Sequence, residues 1–264
     1  VSPSDSQILL PVVKTTPTFH LFFPTRIVSH LPFLLHAYFE VDAGRTRFAP
    51  DAKSKNQELL VALEGLAVTA VADMVAAADI DSMSLAQLFA ETDGTCDDEL
   101  AASFRARLLE SLDAVPWVGV LPDGHAAPES LLVGDGDKVA DRLPLAFPAA
   151  YLARFALFHP GTELISNVET RKFLASRSNH RLIGDQGVLH RLLRPGRIPI
   201  WTCDVAGIDA GFRALMDVLA VVAATQPEAF GELAGGLRGD PLATFLPVVG
   251  AGIRRFLAPP TDVR

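Results

Sequence analysis

Between Thr18 and Val41 the chain is crowded with aromatic and branched residues, and prolines divide that stretch into short β-prone pieces. Thr18–Phe23 carries Phe19, Phe22 and Phe23 and stops at Pro24-Thr25; Phe33–Val41 begins behind Pro32, where a strand can start. Arg26–Leu31 reads as the turn between them, so an antiparallel pair is expected. A loop, Asp42–Ser54, follows. From Asn56 the period changes: Leu59, Leu60, Leu63, Leu66, Ala67, Ala70, Val71, Met74 and Val75 recur at helical steps. Ser54 or Asn56 is placed to cap that helix.

Two more helices are expected at Ser84–Glu91 and Asp97–Leu112, the second with Asp97, Asp98 and Glu99 where the helix dipole favours acids. Strands followed by helices predict an α+β arrangement over residues 1–115. At Pro116 the texture changes. Trp117–Leu121 reads as a strand, Pro122-Asp123-Gly124-His125 as a turn and Pro128–Val133 as the return, before a Gly-Asp loop at 134–138. The remainder is expected to be mostly helical, at Pro148–Phe158, Val168–Ser176, Gln186–Leu193, Ile208–Thr225 and Leu242–Leu257. Residues 116–264 are therefore read as a mostly helical region with a short β-hairpin at its start.

Composition narrows the function. Of 264 residues, 49% are hydrophobic and 20% charged, which is globular rather than disordered. The net charge of −8 argues against general nucleic-acid or anionic-membrane binding. Two distant cysteines, Cys96 and Cys203, make no disulfide framework and point to a reducing cytoplasm. No unbroken apolar run reaches membrane-spanning length; the most apolar stretch, Phe212–Ala224, is interrupted by Arg213 and Asp217. The N-terminus lacks both a signal-peptide pattern and an initiator Met, and is read as that of a fragment.

Common catalytic constellations are missing. There is no Gly-Lys-Ser/Thr phosphate loop, no Gly-x-Ser-x-Gly elbow, and no zinc spacing around His180 and His190. His36, inside an apolar strand, reads as a structural histidine, and Cys203 as a small buried residue. Between Arg171 and Arg197 the only acid is Asp185, against Arg171, Lys172, Arg177, Arg181, Arg191, Arg194 and Arg197. That segment is either a solvated face or a docking patch for an acidic partner or phosphates.

One stretch says more. FHLFFPTRIVSHLPFLLHAYFEVDAGRTRFAPDAKSKNQELLVAL resembles the segment that follows the ATP-binding domain in sacsin-like and NO VEIN-like GHKL ATPases. The resemblance rests on Phe23-Pro24-Thr25, Pro32-Phe33, His36-Ala37 with Phe39, Gly44-Arg45, and Asn56 with Leu59-Leu60. In those families the loop reads Ser-Arg-Glu; here Gly44 and Thr46 flank the arginine.

The resemblance implies a middle domain that projects a cation toward the γ-phosphate of ATP held in a separate domain. Arg45 is the implied cation and Arg47 its alternative, with Gly44 allowing the turn that presents it. The superfamily's Mg- and adenine-binding motifs are absent from this chain. ATP and Mg are thus expected only in a preceding ATP-binding domain, and this chain alone is not expected to hydrolyse ATP. Its expected partners are that domain and a protein client, with neither membrane nor nucleic acid; the alternative is a non-catalytic module binding through residues 171–197.

Overall fold

The computed structural model describes residues 18–77, 82–134, 137–182, 186–193, 205–228, 230–232, 246–250 and 253–257. In chain order the elements begin β1 Thr18–His20, β2 Pro24–Val28, β3 Leu35–His36, α1 Lys53–Ala76, α2 Ser82–Glu91 and α3 Glu99–Asp113. They continue with β4 Val118–Gly119, β5 His125–Ala126, β6 Leu132–Val133, α4 Asp137–Ala140, α5 Leu143–Ala146 and α6 Ala149–Leu152. The last are α7 Thr162–Ser166, α8 Val168–Arg177, β7 His180–Arg181, α9 Gln186–Leu192, α10 Val205–Thr225, β8 Leu246–Gly250 and β9 Ile253–Leu257. The class is mixed α+β, with small sheets among many helices.

The chain forms two compact units: residues up to Glu129 with Ser166–Arg177, and Ser130–Ile165 with residues from Ser178 on. The boundary expected at 115/116 falls inside the first unit, and α8 returns to that unit from further along the chain.

In the first unit a sheet of order β2-β1-β3 packs its inner face into an aromatic core. The expected pairing is corrected here. The segments read as two antiparallel strands run parallel, Phe19 opposite Leu35 and His20 opposite His36. The antiparallel partner of β1 is β2, taken as a turn, in register Thr18↔Val28 and His20↔Pro24. Its signal was period-two burial, Thr25 and Ile27 inward and Pro24 and Arg26 outward. Pro24 is tolerated because it opens the strand. The Thr25 hydroxyl donates to the Phe19 carbonyl at 2.7 Å and accepts from the Ile27 amide at 3.1 Å, so the inward hydroxyl is fully partnered.

Phe19 is fully buried and meets Phe39, Phe48 and Phe104 edge-on at centroid distances of 5.5, 5.2 and 5.9 Å. Such contacts add roughly 0.5–1.5 kcal/mol per pair beyond burial. A second aromatic group joins Phe89 to Phe33, Trp117 and Phe173, with the Trp117 indole donating to the Leu112 carbonyl at 3.0 Å.

α1 starts at Lys53, ahead of the expected Asn56, and Ala52 at its cap position supplies no side-chain bond. It buries Asn56, Leu60, Val71 and Val75 on one stripe and leaves Val61 and Leu66 exposed. Contrary to the expectation from unbroken runs, residues Pro50–Ala76 form a helix long and apolar enough, by length and composition alone, to cross a membrane. Within it Glu64 accepts from Arg107 Nε at 3.1 Å and from the Ser111 hydroxyl at 2.9 Å, both on α3. This polar clamp inside an apolar helix docks α1 on its neighbour. α3 is capped by Asp98, whose carboxylate accepts from the Leu100 and Ala101 amides at 2.9 and 3.0 Å.

The hairpin expected at Trp117–Val133 is only half present. β4 pairs antiparallel with β5 across the Pro122–Gly124 turn, but β6 pairs parallel with β7 in the second unit. In that unit Phe147, Tyr151, Leu152, Leu192, Leu215 and Val218 centre the core, with α10 packed on α4 and α5. The helix expected at Leu242–Leu257 is a β-hairpin, with Leu246 opposite Leu257 and Gly250 opposite Ile253. Pro247 cannot sit inside a helix at no cost, while Val248, Val249 and Ile253 favour strands.

His159 is buried, 2.6 Å from the Phe147 carbonyl through Nε2, and burial pulls its pKa down to about 4. The folded state holds this ring neutral, whereas the unfolded chain protonates it near pH 6.5. The second unit should therefore keep full stability above pH 6.5 and lose up to roughly 3 kcal/mol as pH falls to about 4. Denaturant titrations across that range should show the loss in wild type and a much flatter profile in His159→Gln. For the first unit, Phe19→Ala should cost about 3–5 kcal/mol, read as a lowered chemical-denaturation midpoint.

Candidate functional site

The loop that carries Arg45 is held at both ends. Val41 and Phe48 form an antiparallel bridge at its neck, and the Ala49 amide donates to the Glu40 carbonyl at 2.9 Å. Below the neck, fully buried Asn56 accepts from the Glu40 amide at 2.9 Å and donates to its carbonyl at 2.7 Å. Read as a possible cap, Asn56 instead bonds Glu40 through both backbone groups, sharing its carbonyl with the Ala49 amide. On the other side the Phe48 amide donates to Asp98 at 2.9 Å, so the α3 cap also fixes the loop's exit.

Inside the loop the Asp42 carboxylate accepts from the Thr46 amide at 2.7 Å, the Thr46 hydroxyl at 2.8 Å and the Arg47 amide at 3.3 Å. The Thr46 hydroxyl bond, with these amides, lowers the Asp42 pKa below its usual value. Thr46, at the position where the resembling families carry Glu, thus serves as an internal donor. Arg47 Nε lies 3.7 Å from Asp42 Oδ2 and is directed back into the loop.

Arg45 is different. Its amide donates to the Asp42 carbonyl at 3.0 Å, its carbonyl accepts from the Arg26 amide at 2.7 Å, and its φ is 55°. A left-handed backbone at a non-glycine residue costs of order 1 kcal/mol and is held only when neighbours over-determine it. The expectation that Gly44 would make the special turn is corrected: among the described glycines only Gly124 has positive φ, and the strain falls on the arginine itself. A Cβ on Gly44 would meet only ordinary contacts of 3.6–3.8 Å.

The exposed Arg45 guanidinium lies over the Phe23 ring, 5.8 Å from its centroid, and has no ion-pair partner among the described residues. A cation over an aromatic face is only partly neutralised, and it remains able to receive an anion.

The basic segment is shared between the two units. Arg171, Lys172 and Arg177 belong to the first unit, Arg181 and Arg191 to the second. Arg171 is buried; Lys172 pairs with Glu169 at 3.0 Å; Arg177 grips Asp113 with Nε at 2.9 and 3.1 Å from its two oxygens. Hydrogen bonding to Asp113 raises the Arg177 pKa further. Arg191 lies half-buried, with Nη2 3.2 Å from His180 Nδ1, while Arg181 is exposed. Arg194 and Arg197 lie outside the described residues. Linear charge density hid the fact that several of these cations are used inside the fold.

What reasoning from sequence missed is aromatic. Phe22, Phe23, Leu34 and Tyr38, read as β-prone residues, are 75%, 65%, 60% and 65% exposed. Phe22 meets Tyr38 edge-on at 5.5 Å, and Tyr38 meets His36 at 6.3 Å. His36 is exposed on the outer face of β3, not buried as a structural histidine would be. The available signal was the Phe22-Phe23 pair: consecutive strand residues face opposite ways, so both could not enter the core.

Among the described residues no group of His, Cys, Asp and Glu is arranged to hold a metal. No protein-family model, curated protein or solved structure matches the chain.

The strained arginine yields a test. Arg45→Gly removes the side chain and relieves the left-handed backbone, so unit stability should stay level or rise by up to about 1 kcal/mol in chemical denaturation. A loss of 1 kcal/mol or more would mean the side chain holds the loop together.

Proposed function

We propose that the chain is the coupling segment of a GHKL-type, ATP-driven, chaperone-like protein, cytoplasmic, whose nucleotide is bound with Mg by a separate domain. In this reading Arg45 reaches the γ-phosphate when the two domains meet, and nucleotide state is passed to a protein client. One observation carries the reading. Arg45 is a loop arginine held in a costly backbone conformation, exposed and unpaired among the described residues, while neighbouring Arg47 is engaged by Asp42.

The chemistry suits the geometry. Phosphoryl transfer to water depends on position and charge stabilisation more than on covalent help. A guanidinium offers two parallel donors to phosphate oxygens and stays charged at any relevant pH. Its resting place over Phe23 keeps it extended without giving it a carboxylate that would have to be displaced. A loop anchored through Asn56 and Asp98 moves with its unit, so approach of the unit and approach of the cation become one event. Arg47 would serve mainly to steady the loop.

The test uses the intact protein with its nucleotide-binding domain. Arg45→Ala should lower ATP turnover by about a hundredfold or more while leaving nucleotide affinity within a few-fold. Arg47→Ala should lie close to wild type. Unchanged turnover in Arg45→Ala would remove the assignment, as would hydrolysis of ATP by this chain alone.

A further inference from the structure

We infer that the outward face of the β2-β1-β3 sheet docks a protein segment that carries carboxylates beside apolar side chains. The inner face is closed: Phe19, Ile27 and Leu35 are all at most 4% exposed. Alternation along the strands therefore sends Arg26, His20, Leu34 and His36 outward. His20 and His36 are register partners in the parallel pair and so stand side by side on that face. Phe22 and Tyr38, in edge contact at 5.5 Å, extend it toward the β1–β2 turn, where Arg45 lies over Phe23.

Two properties set this face apart from an ordinary solvated one. The first is apolar exposure: three large side chains flanking the strands of one small sheet, Phe22, Leu34 and Tyr38, are at least 60% exposed. Clustered exposure of this kind marks interaction sites far more often than scattered exposure does. The second is charge. The chain has 31 acidic against 23 basic Lys and Arg residues, yet no acid stands between Thr18 and Tyr38. The next outward residue, Glu40, is taken by Lys55 at 2.5 Å. An acidic chain thus keeps the whole run from Thr18 to Tyr38 free of acids, with Arg26 exposed on β2 and Arg45 beside Phe23.

The occupant follows from complementarity. Aromatic anchors flanked by arginines suit a partner with apolar side chains in the centre and carboxylates at the edge, the usual arrangement of a polar rim around an apolar core. Only two permanent cations are offered, enough for one or two carboxylates but few for a polyphosphate chain. The net charge of −8 also repels nucleic acid at long range. This proposal does not require the nucleotide reading above, because the face is complete without Arg45 reaching a phosphate.

The assay uses the 264-residue chain without ATP, so its failure and the failure of the coupling reading are separate results. A short fluorescein-labelled peptide alternating aspartate with phenylalanine is titrated by anisotropy, beside the same peptide with lysine for aspartate and an oligothymidylate. Saturable binding of the aspartate peptide, tightening as salt is lowered, is expected. Arg26→Glu and Tyr38→Ser, each checked by circular dichroism, should weaken it at least about tenfold. Arg26 bonds the loop only through its amide, so its substitution leaves the fold intact. The inference is overturned by no binding at about 100 μM, by equal binding of the lysine peptide or the oligonucleotide, or by wild-type affinity in both variants.

Discussion

A single buried amide organises the first unit. Asn56 meets both polar groups of the Glu40 peptide, donating to one and accepting from the other, at the point where the chain leaves the sheet and enters the loop. The Glu40 carbonyl is also met by the Ala49 amide, but the Glu40 amide depends on Asn56, and leaving it unsatisfied in a part-buried site would cost about 1–3 kcal/mol. Asn56 is itself fixed in the first turns of α1, so one side chain sets the spacing between sheet, loop and helix. Leu60, Val71 and Val75 then follow on the same stripe of the helix. The aromatic cluster around Phe19 supplies buried apolar surface; Asn56 supplies the register.

From that register the strained arginine becomes intelligible. The loop closes by bonds to Asp42, Glu40 and Asp98, none of which involves the Arg45 side chain. Those bonds over-determine the backbone, and the left-handed residue is where the remaining geometry falls. Glycine would occupy that position at lower cost and happens to stand one residue earlier. An expensive residue at such a position argues for a use of its side chain outside the loop, since among the described residues its guanidinium meets only Phe23.

Much of the fold was legible in local chemistry. The helices were found because their apolar residues recur at the helical step, and the class followed from strands preceding helices. Three errors have physical causes. β2 looked like a turn because Pro24 and Arg26 drew attention from Thr25 and Ile27, the residues that face inward. The 242–257 hairpin looked helical because its apolar count was weighed before Pro247 and the branched valines. Parallel pairing of β1 with β3, and of β6 with β7, depends on partners distant in sequence, which no local pattern reports. In the site, Arg45 was reached through resemblance, whereas the exposed aromatics and the partners of Lys172, Arg177 and Arg191 needed coordinates. Burial, not composition, separates a working cation from a structural one.

The return of α8 to the first unit bears on how the protein is made. Phe173 stacks on Phe89 at 6.0 Å, and Arg177 closes on Asp113, so the unit's last pieces are encoded after a stretch that belongs elsewhere. On a ribosome the first unit must wait for roughly fifty residues beyond Glu129, on the order of several seconds of elongation. During that interval Phe89 lacks its Phe173 cover, and α1 presents Val61 and Leu66 besides. The nascent chain therefore carries an uncovered apolar patch at that stage, and a truncation near residue 129 would keep that unfinished surface permanently.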